Sequence, residues 1–256
     1  MRALFNREPS TERYVTRVRS SGNGGTLYLV ATPIGNLEDI TRRALRILGE
    51  VDRVAAEDTR HTRRLLEHYG ISVPVESLFE HNERARVPGL IQRLTEGENV
   101  AVVTDAGSPA VADPGYPLVR AAVEAGIRVE SVPGPSAVIA ALQVSGLPTD
   151  AFTFAGFLPV KPGARRRRLE ELSGRRETVV AFESPHRIEA CLEDVEALWG
   201  ERPIALAREL TKVFEQVLRG SAREVRESLT AENRRGEMVL VLSGLTRKSA
   251  GSEEGT

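Results

Sequence analysis

The chain has 256 residues, 41% hydrophobic and 28% charged, a balance that suits one large or two modest globular domains with an apolar core. Its single cysteine, Cys191, excludes an internal disulfide framework and a cysteine-rich zinc site. The formal net charge of −1 does not mark a globally basic nucleic-acid binder, and no apolar run approaches the roughly 20 residues of a membrane span.

In chain order, residues 1–24 are polar and end in "SSGNGG", which predicts a flexible leader. "TLYLVA" is a strand. "LEDITRRALRILGEV" puts Ile40, Ala44, Ile47 and Leu48 on one face, which predicts a helix. "RVAAEDT" ends a second strand, and "HTRRLLEHYG" is a helix stopped by Gly70. "VPVESLF" is a third strand. "NERARVPGLIQRLTEG" is a helix with Asn82 as N-cap and a bend at Pro88. "NVAVVTD" is a buried strand, and "GYPLVRAAVEAG" a helix for which Asp113 is the expected N-cap and Pro114 the first helical residue. "IRVESVP" is a fifth strand. This alternation predicts an α/β fold whose N-terminal domain, residues 25–145, is a mainly parallel sheet with helices on both faces.

The register changes across "SGLPTDAFTFAGFLP", rich in Pro, Gly and aromatics, where a domain boundary is expected. A C-terminal domain, residues 146–245, carries strands at "TVVAFE", "PIALARE", "EQVLRG" and "EMVLVLS", with helices between them. A mixed sheet follows. Residues 246–256 read as a flexible tail.

The unusual sequences cluster after the first five strands: "ATPIGNLEDIT", "AEDTRHT", "EHNE", "TDAGSPAVADPG" and "VPGPSA". In an open α/β sheet, ligands sit at that carboxyl edge. Neither GxGxxG nor GxxxxGK[ST] occurs, and the prolines remove backbone donors, so these loops favour a phosphate-free ligand with an apolar, aromatic part.

Taken together, "VATPIGNLEDIT", "AEDTRHTRRLL", "EHNE", "VVTDAGSPAVADPG", "VPGPSAVIAALQVSGLPTDAFTFAGFLP", "ESPHRI" and "ARELTKVFEQ" resemble the ribosomal RNA small subunit methyltransferase I family, within the tetrapyrrole-methylase-like superfamily. The resemblance runs from about Leu27 to Leu242. It implies S-adenosylmethionine as methyl donor and 2′-O-methylation of a cytidine in the decoding region of small-subunit (16S) ribosomal RNA. It also implies two α/β domains with the cofactor in the cleft between them, as a homodimer. With no membrane-spanning or secretory apolar run, the reducing cytoplasm is the expected location and no membrane partner is expected. Following the family's loops, Pro33 and Gly35 would line one wall. Asp105, Gly107, Ser108, Val111 and Ala112 would surround the methionine and ribose parts. Ser136 and Ala137 would close the pocket, and Phe182 and Ala207 would approach the adenine from the second domain.

A ribose 2′-hydroxyl is a poor nucleophile, so a base or electrostatic partner is expected among Glu57, Asp58, His61, His81 and Glu83. Asp58 reads more readily as a helix cap. Arg60 offers a fork for an RNA phosphate, and Asn82 either caps a helix or positions the target nucleotide. "KPGARRRRLEELSGRR" is the densest basic stretch; Lys161, Arg165 and Arg166 would flank the cleft and hold RNA backbone. Competing readings are a small-molecule methyltransferase of the tetrapyrrole type and a non-catalytic binding module. "EDTRHT", "EHNE" and the arginine run favour RNA. No histidine or carboxylate spacing implies a metal.

Overall fold

A computed structural model describes residues 24–245. The expected tail, and all of the expected leader but Gly24, lie outside the described residues. The first sheet contains β1 (Thr26–Val30), β2 (Arg53–Ala56), β3 (Val75–Ser77), β4 (Val100–Val103) and β5 (Arg128–Val132), all parallel in the order β3-β2-β4-β1-β5. The crossovers are α1 (Arg42–Glu50), α2 (Thr59–His68), α3 (Glu83–Thr95) and α4 (Tyr116–Glu124). Alternation along the strands divides the core. Val54, Ala56, Ala101 and Val103 pack under Ala44, Ile47 and Leu48 of α1 and Leu66 of α2. Ala55, Val100 and Val102 point the other way, onto Leu90 and Leu94 of α3 and Leu118 and Ala122 of α4. Helices therefore cover both faces, as the uninterrupted apolar strands require.

Two helix starts differ from the sequence expectation. The helix predicted from Leu37 is split into a 3-10 turn, Leu37–Asp39, and α1, because the Thr41 side chain accepts from the Ala44 N–H and starts a new helix there. α4 begins at Tyr116 with Gly115 at the N-cap position, so Asp113 is not the cap. The buried Glu83 carboxylate, at the start of α3, accepts from the Gly115 N–H at 2.7 Å instead. Pro88 lies inside α3, which continues through it.

The second half contains α5 (Ala137–Ser145), β6 (Phe152–Phe157), α6 (Pro162–Ser173), β7 (Thr178–Glu183), α7 (Ile188–Trp199), β8 (Ile204–Arg208), β9 (Gln216–Gly220), α8 (Ala222–Glu227) and β10 (Met238–Leu242). Its sheet runs β6-β7-β10-β8-β9 and is mixed: β6 pairs with β7 in parallel, and the other pairs are antiparallel. β6 is a fifth strand inside the segment read as a boundary. One face is covered by α6, α7 and α8 and includes the buried Cys191, whose thiol pKa is pushed up by burial, so the thiol is structural. The other face is covered by α5, through Val138, Ala141 and Leu142, against Val180, Ala205, Val239 and Val241. α5 thus packs with the second sheet, although residues 137–145 fall on the N-terminal side of the expected boundary. Ile34, from the loop after β1, enters the same cluster.

The arginine run lies on α6 and is divided by the helix. Arg165 is buried rather than turned toward solvent: its Nε donates to Asp194 Oδ2 at 2.8 Å and its Nη2 to the Ala190 carbonyl at 3.1 Å. Its fork is spent inside the domain, which overturns its expected role in holding RNA. Arg166 is exposed, 3.5 Å from Asp194, and Arg168 pairs with Glu171. Removing one partner of a buried ion pair strands the other charge. Arg165→Ala is expected to lower unfolding free energy by about 3 kcal/mol, and Arg166→Ala to change it by no more than about 0.5 kcal/mol; urea unfolding of the two variants measures both.

Candidate active site

Leaving β1, the chain is tied to the loop after β4. Thr32 N–H donates to the Gly107 carbonyl at 2.9 Å, and Gly107 N–H returns a bond to Thr32 at 3.1 Å. The Thr32 hydroxyl donates to the Thr104 carbonyl at 3.1 Å. Gly107 has φ +85, a conformation suited to glycine. Gly35 has a different reason to be glycine from the one expected. A Cβ there would lie 2.5 Å from Lys212 Cγ and 2.9 Å from Thr211 Oγ1, so its small size lets the β8–β9 loop close onto the first loop.

The loops after β2 and β4 exchange bonds through carboxylates. Glu57 Oε2 accepts from the Thr104 hydroxyl and, at 3.3 Å, from Asp105 N–H. Asp105 Oδ1 accepts from Asp58 N–H at 3.2 Å. Asp113 is a third carboxylate in the group. Burial, and then the charge of Glu57, raise its pKa to about 6, against an opposing hydrogen bond from Thr104. Burial and Glu57 raise Asp105 as well. Asp58 is different: its Oδ1 accepts from the Arg60 and His61 N–H groups at 2.7 and 3.4 Å, and this capping, with the Arg60 guanidinium, lowers its pKa.

These carboxylates face a cavity of about 420 Å³ bounded by both halves of the chain, a volume in the range of small-molecule sites. The first half contributes Glu57, Asp105 and Asp113 through its loops, and α5 adds Ala137. The facing wall holds Phe182, Leu210 and the start of β10. Phe182 contacts Phe154 and Phe157 with ring centroids 5.0 and 5.2 Å apart, giving that wall an aromatic cluster.

Of the residues singled out from sequence, Glu57, Asp105, Ala137 and Phe182 meet at this cavity. Pro33 and Gly107 are buried in the tied loops, and Ser108 is half-buried beside them. Ser136 occupies the N-cap position of α5 without a capping side-chain bond. Val111 and Ala112 are exposed outside the lining, and Ala207 is fully buried in the core under α5. Asp58 is a cap. His61 is exposed on α2, and His81 is exposed with its ring edge-on to Phe79. Glu83 is committed to Gly115. Asn82 occupies the N-cap position of α3, but its side chain braces the preceding turn: Oδ1 accepts from Phe79 N–H at 2.8 Å and Nδ2 donates to Ser77 Oγ at 3.1 Å. Lys161 is exposed at the start of α6.

Sequence reasoning missed Thr104, Asp113 and the wall formed by Ser184, Leu210 and Gly236–Val239. Backbone strain is the signal that joins the two sides. The four non-glycine residues with positive φ among the described residues are Ala110, Ala112, Glu209 and Thr211, in the loop after β4 and the β8–β9 loop. Such conformations persist where the surroundings over-determine them, and they concentrate at functional sites. Among the described residues, no group of three or more His, Cys, Asp or Glu side chains is arranged to hold a metal ion.

Comparison with known proteins agrees with this architecture. Residues 26–226 match the tetrapyrrole (corrin/porphyrin) methylases. The ribosomal RNA small subunit methyltransferase I of Xylella fastidiosa (strain Temecula1) is 51% identical over 229 residues, 88% of this chain and 84% of that protein. The protein of the same name from Escherichia coli O157:H7 is 50% identical over 226 residues, 86% of this chain and 78% of that one. The solved uroporphyrin-III-C-methyltransferase from Thermus thermophilus superposes with a TM-score of 0.60 at 24% identity, covering 86% of this chain and 94% of that one, which establishes a shared fold. With about half its residues identical to such relatives across nearly nine-tenths of its length, the chain belongs to the ribosomal RNA small subunit methyltransferase I family, on the tetrapyrrole methylase fold.

Proposed function

We propose that this protein uses S-adenosylmethionine to methylate the ribose 2′-oxygen of a cytidine in the decoding region of small-subunit (16S) ribosomal RNA. The observation that carries the cofactor assignment is the pairing of Glu57, Asp105 and Asp113 with an aromatic wall across one cleft. S-adenosylmethionine bears sulfonium and ammonium cations, hydroxyl donors and a flat adenine, and no phosphate. Carboxylates in a partly desolvated pocket attract the cations, Phe182 offers a face or edge to the ring, and the absence of a glycine-rich phosphate cradle costs nothing. The residues fit the group.

When bound, the cofactor supplies an electrophilic methyl group that an oxygen nucleophile attacks in line. The chain's contribution is to hold the reactants together and to handle the proton. The bonds joining the loops after β1, β2 and β4 preorganise that wall, so little reorganisation accompanies reaction. Of the five residues expected as base or electrostatic partner, Glu57 alone lines the cavity, and its Oε1 is not engaged by the bonds that hold Oε2. Glu57 is therefore assigned the 2′-hydroxyl proton, with His61 and His81 on the rim. Arg60, Arg166 and Lys161 are exposed cations, and that exposure supports reading them as contacts for RNA phosphates. The family resemblance supports a cytoplasmic homodimer that acts on RNA within the assembled small subunit.

Labelled S-adenosylmethionine incubated with assembled small subunits, naked 16S RNA or a tetrapyrrole precursor is expected to label a cytidine ribose. Label in the tetrapyrrole and none in RNA overturns the reading. Glu57→Gln is expected to lower kcat about 100-fold, the scale of general-base catalysis, with cofactor affinity retained; a kcat within twofold of the parent removes Glu57 from that role. The raised pKa of Asp113 gives a pH signature. Its carboxylate is charged above about pH 6 and takes a proton as pH falls through that value. Cation binding favours the charged form, so cofactor affinity measured by calorimetry is expected to be highest at neutral pH and to fall below about pH 6, and Asp113→Asn to flatten that dependence. A parent profile already flat from pH 5 to pH 8, a window placed about that pKa, contradicts it.

A further inference from the structure

The arginines of this chain are mostly committed. In the second half, Arg165, Arg175, Arg187, Arg223, Arg226 and Arg234 each meet a carboxylate. Among the described residues, exposed arginines without an ion pair or side-chain hydrogen bond occur singly at Arg42, Arg167, Arg176 and Arg235, whereas the first half gathers four of them at one place. Arg63 and Arg64 on α2, and Arg84 and Arg86 at the start of α3, are exposed and have neither an ion pair nor a side-chain hydrogen bond among the described residues. Arg60 stands beside them with its side chain 85% exposed, tethered only to the capping Asp58.

Their position makes this more than a solvated helix face. β2 and β3 are parallel neighbours, so the starts of α2 and α3 lie at the same carboxyl edge of the sheet. α2 begins two residues after the cavity-lining Glu57. α3 begins at Glu83, whose carboxylate holds Gly115, two residues beyond the cavity-lining Asp113. The four arginines therefore belong to the rim of the cleft. The electrostatics of the helices oppose this arrangement. An N-terminal turn carries partial positive charge and favours acids, by roughly 0.3–1 kcal/mol per charge. α2 has no acid in its first turn, and the one acid in the first turn of α3, Glu83, is buried and occupied. The exposed acids on these two segments are Glu67, near the far end of α2, and Glu80, in the turn before α3. Arg84 lies in the first turn of α3, where the helix dipole disfavours a cation, and Arg86, Arg63 and Arg64 follow further along the two helices without a carboxylate partner, an arrangement suited to an anion that arrives from outside. A row of them on two elements suits a polyanion.

We propose that α2 and the first turns of α3 form the main docking surface for the phosphate backbone of the RNA substrate, with Arg63, Arg64, Arg84 and Arg86 as its contacts. The inference rests on the ribosomal RNA reading and assigns the binding surface to the first domain rather than to α6. The acidic cavity beside it repels phosphate, so the same edge admits a cationic cofactor inside and a polyanion outside.

The test compares Arg63→Ala/Arg64→Ala and Arg84→Ala/Arg86→Ala with a charge-matched control, Arg93→Ala/Arg128→Ala, which removes two cations at the opposite edge. Methyl transfer by the parent to assembled subunits tests the underlying reading by itself. Given that activity, each rim double variant is expected to raise KM for the subunit about tenfold or more near 150 mM salt. Each is also expected to reduce the slope of log affinity for naked 16S RNA against log salt by about 1 to 2, the loss of one or two phosphate contacts. Cofactor affinity, kcat at saturating subunit and melting temperature are expected to stay with the parent, and Arg63→Lys/Arg64→Lys to restore most of the affinity. The proposal is overturned if KM and salt slope are unchanged, if the control loses as much as the rim variants, or if subunit binding falls while naked-RNA binding holds, which would assign the surface to a ribosomal protein.

Discussion

The bridge between Thr32 and Gly107 is the constraint on which the site depends. β1 and β4 are parallel neighbours, with Leu29 opposite Val102. Just beyond their ends the two chains pair again, but antiparallel. That is possible only if the chain leaving β4 turns back on itself between Val103 and Gly107. Thr104, Asp105 and Ala106 form the apex of that reversal, and all three line the cavity. Two backbone bonds thus push a carboxylate out of the sheet edge and hold it there. The Thr32 hydroxyl on the Thr104 carbonyl and the Glu57 carboxylate on Asp105 N–H fix the apex from two sides.

The electrostatics follow from that geometry. Three carboxylates drawn close together in a half-buried pocket lose hydration and repel one another, and the raised pKa of Asp113 records first the burial and then the charge of Glu57. Such a group is stable in a protein only when the backbone supplies donors to some of its members. Asp58 N–H and Asp105 N–H do so here. All three carboxylates line the cavity, where a cation would relieve the repulsion. The pocket is therefore poor for anions and tuned for positive charge before any ligand enters.

Much of the first domain was legible in sequence because parallel strands buried on both faces leave short apolar runs between amphipathic helices. The five loops were legible for the same reason, as the strand ends bound them. What escaped was set by residues distant in sequence. Asp113-Pro114 has the local form of a helix cap, yet Glu83 takes that place across 32 positions and frees Asp113 for the cleft. Arg165 sits in a run of like charge whose burial is decided by Asp194, 29 residues on. Gly35 resembles a ligand-facing glycine, but Lys212 dictates its size. β6 was hidden because its composition, "FTFAGF" between prolines, matches a linker as well as a strand. Glu57, Asp105, Ala137 and Phe182 were found because each stands at or just beyond the end of a recognisable strand or at the start of a helix. Gly236–Val239 was not, because only the tertiary pairing of β10 between β7 and β8 brings it to the cleft.

The packing of α5 and Ile34 has a mechanical consequence. α5 follows directly from the fifth loop of the first sheet, yet its apolar face is buried under the second, and Ile34 from the first loop is embedded in the same cluster. The two halves are riveted through one continuous apolar seam at the floor of the cleft. Swinging the sheets apart would tear that seam and expose it to water, so a wide clamshell motion is disfavoured. Leu210 of the β8–β9 loop, which packs against Gly35, belongs to the same cluster, so that loop is pinned with the seam, and heat is expected to melt both halves in a single cooperative step.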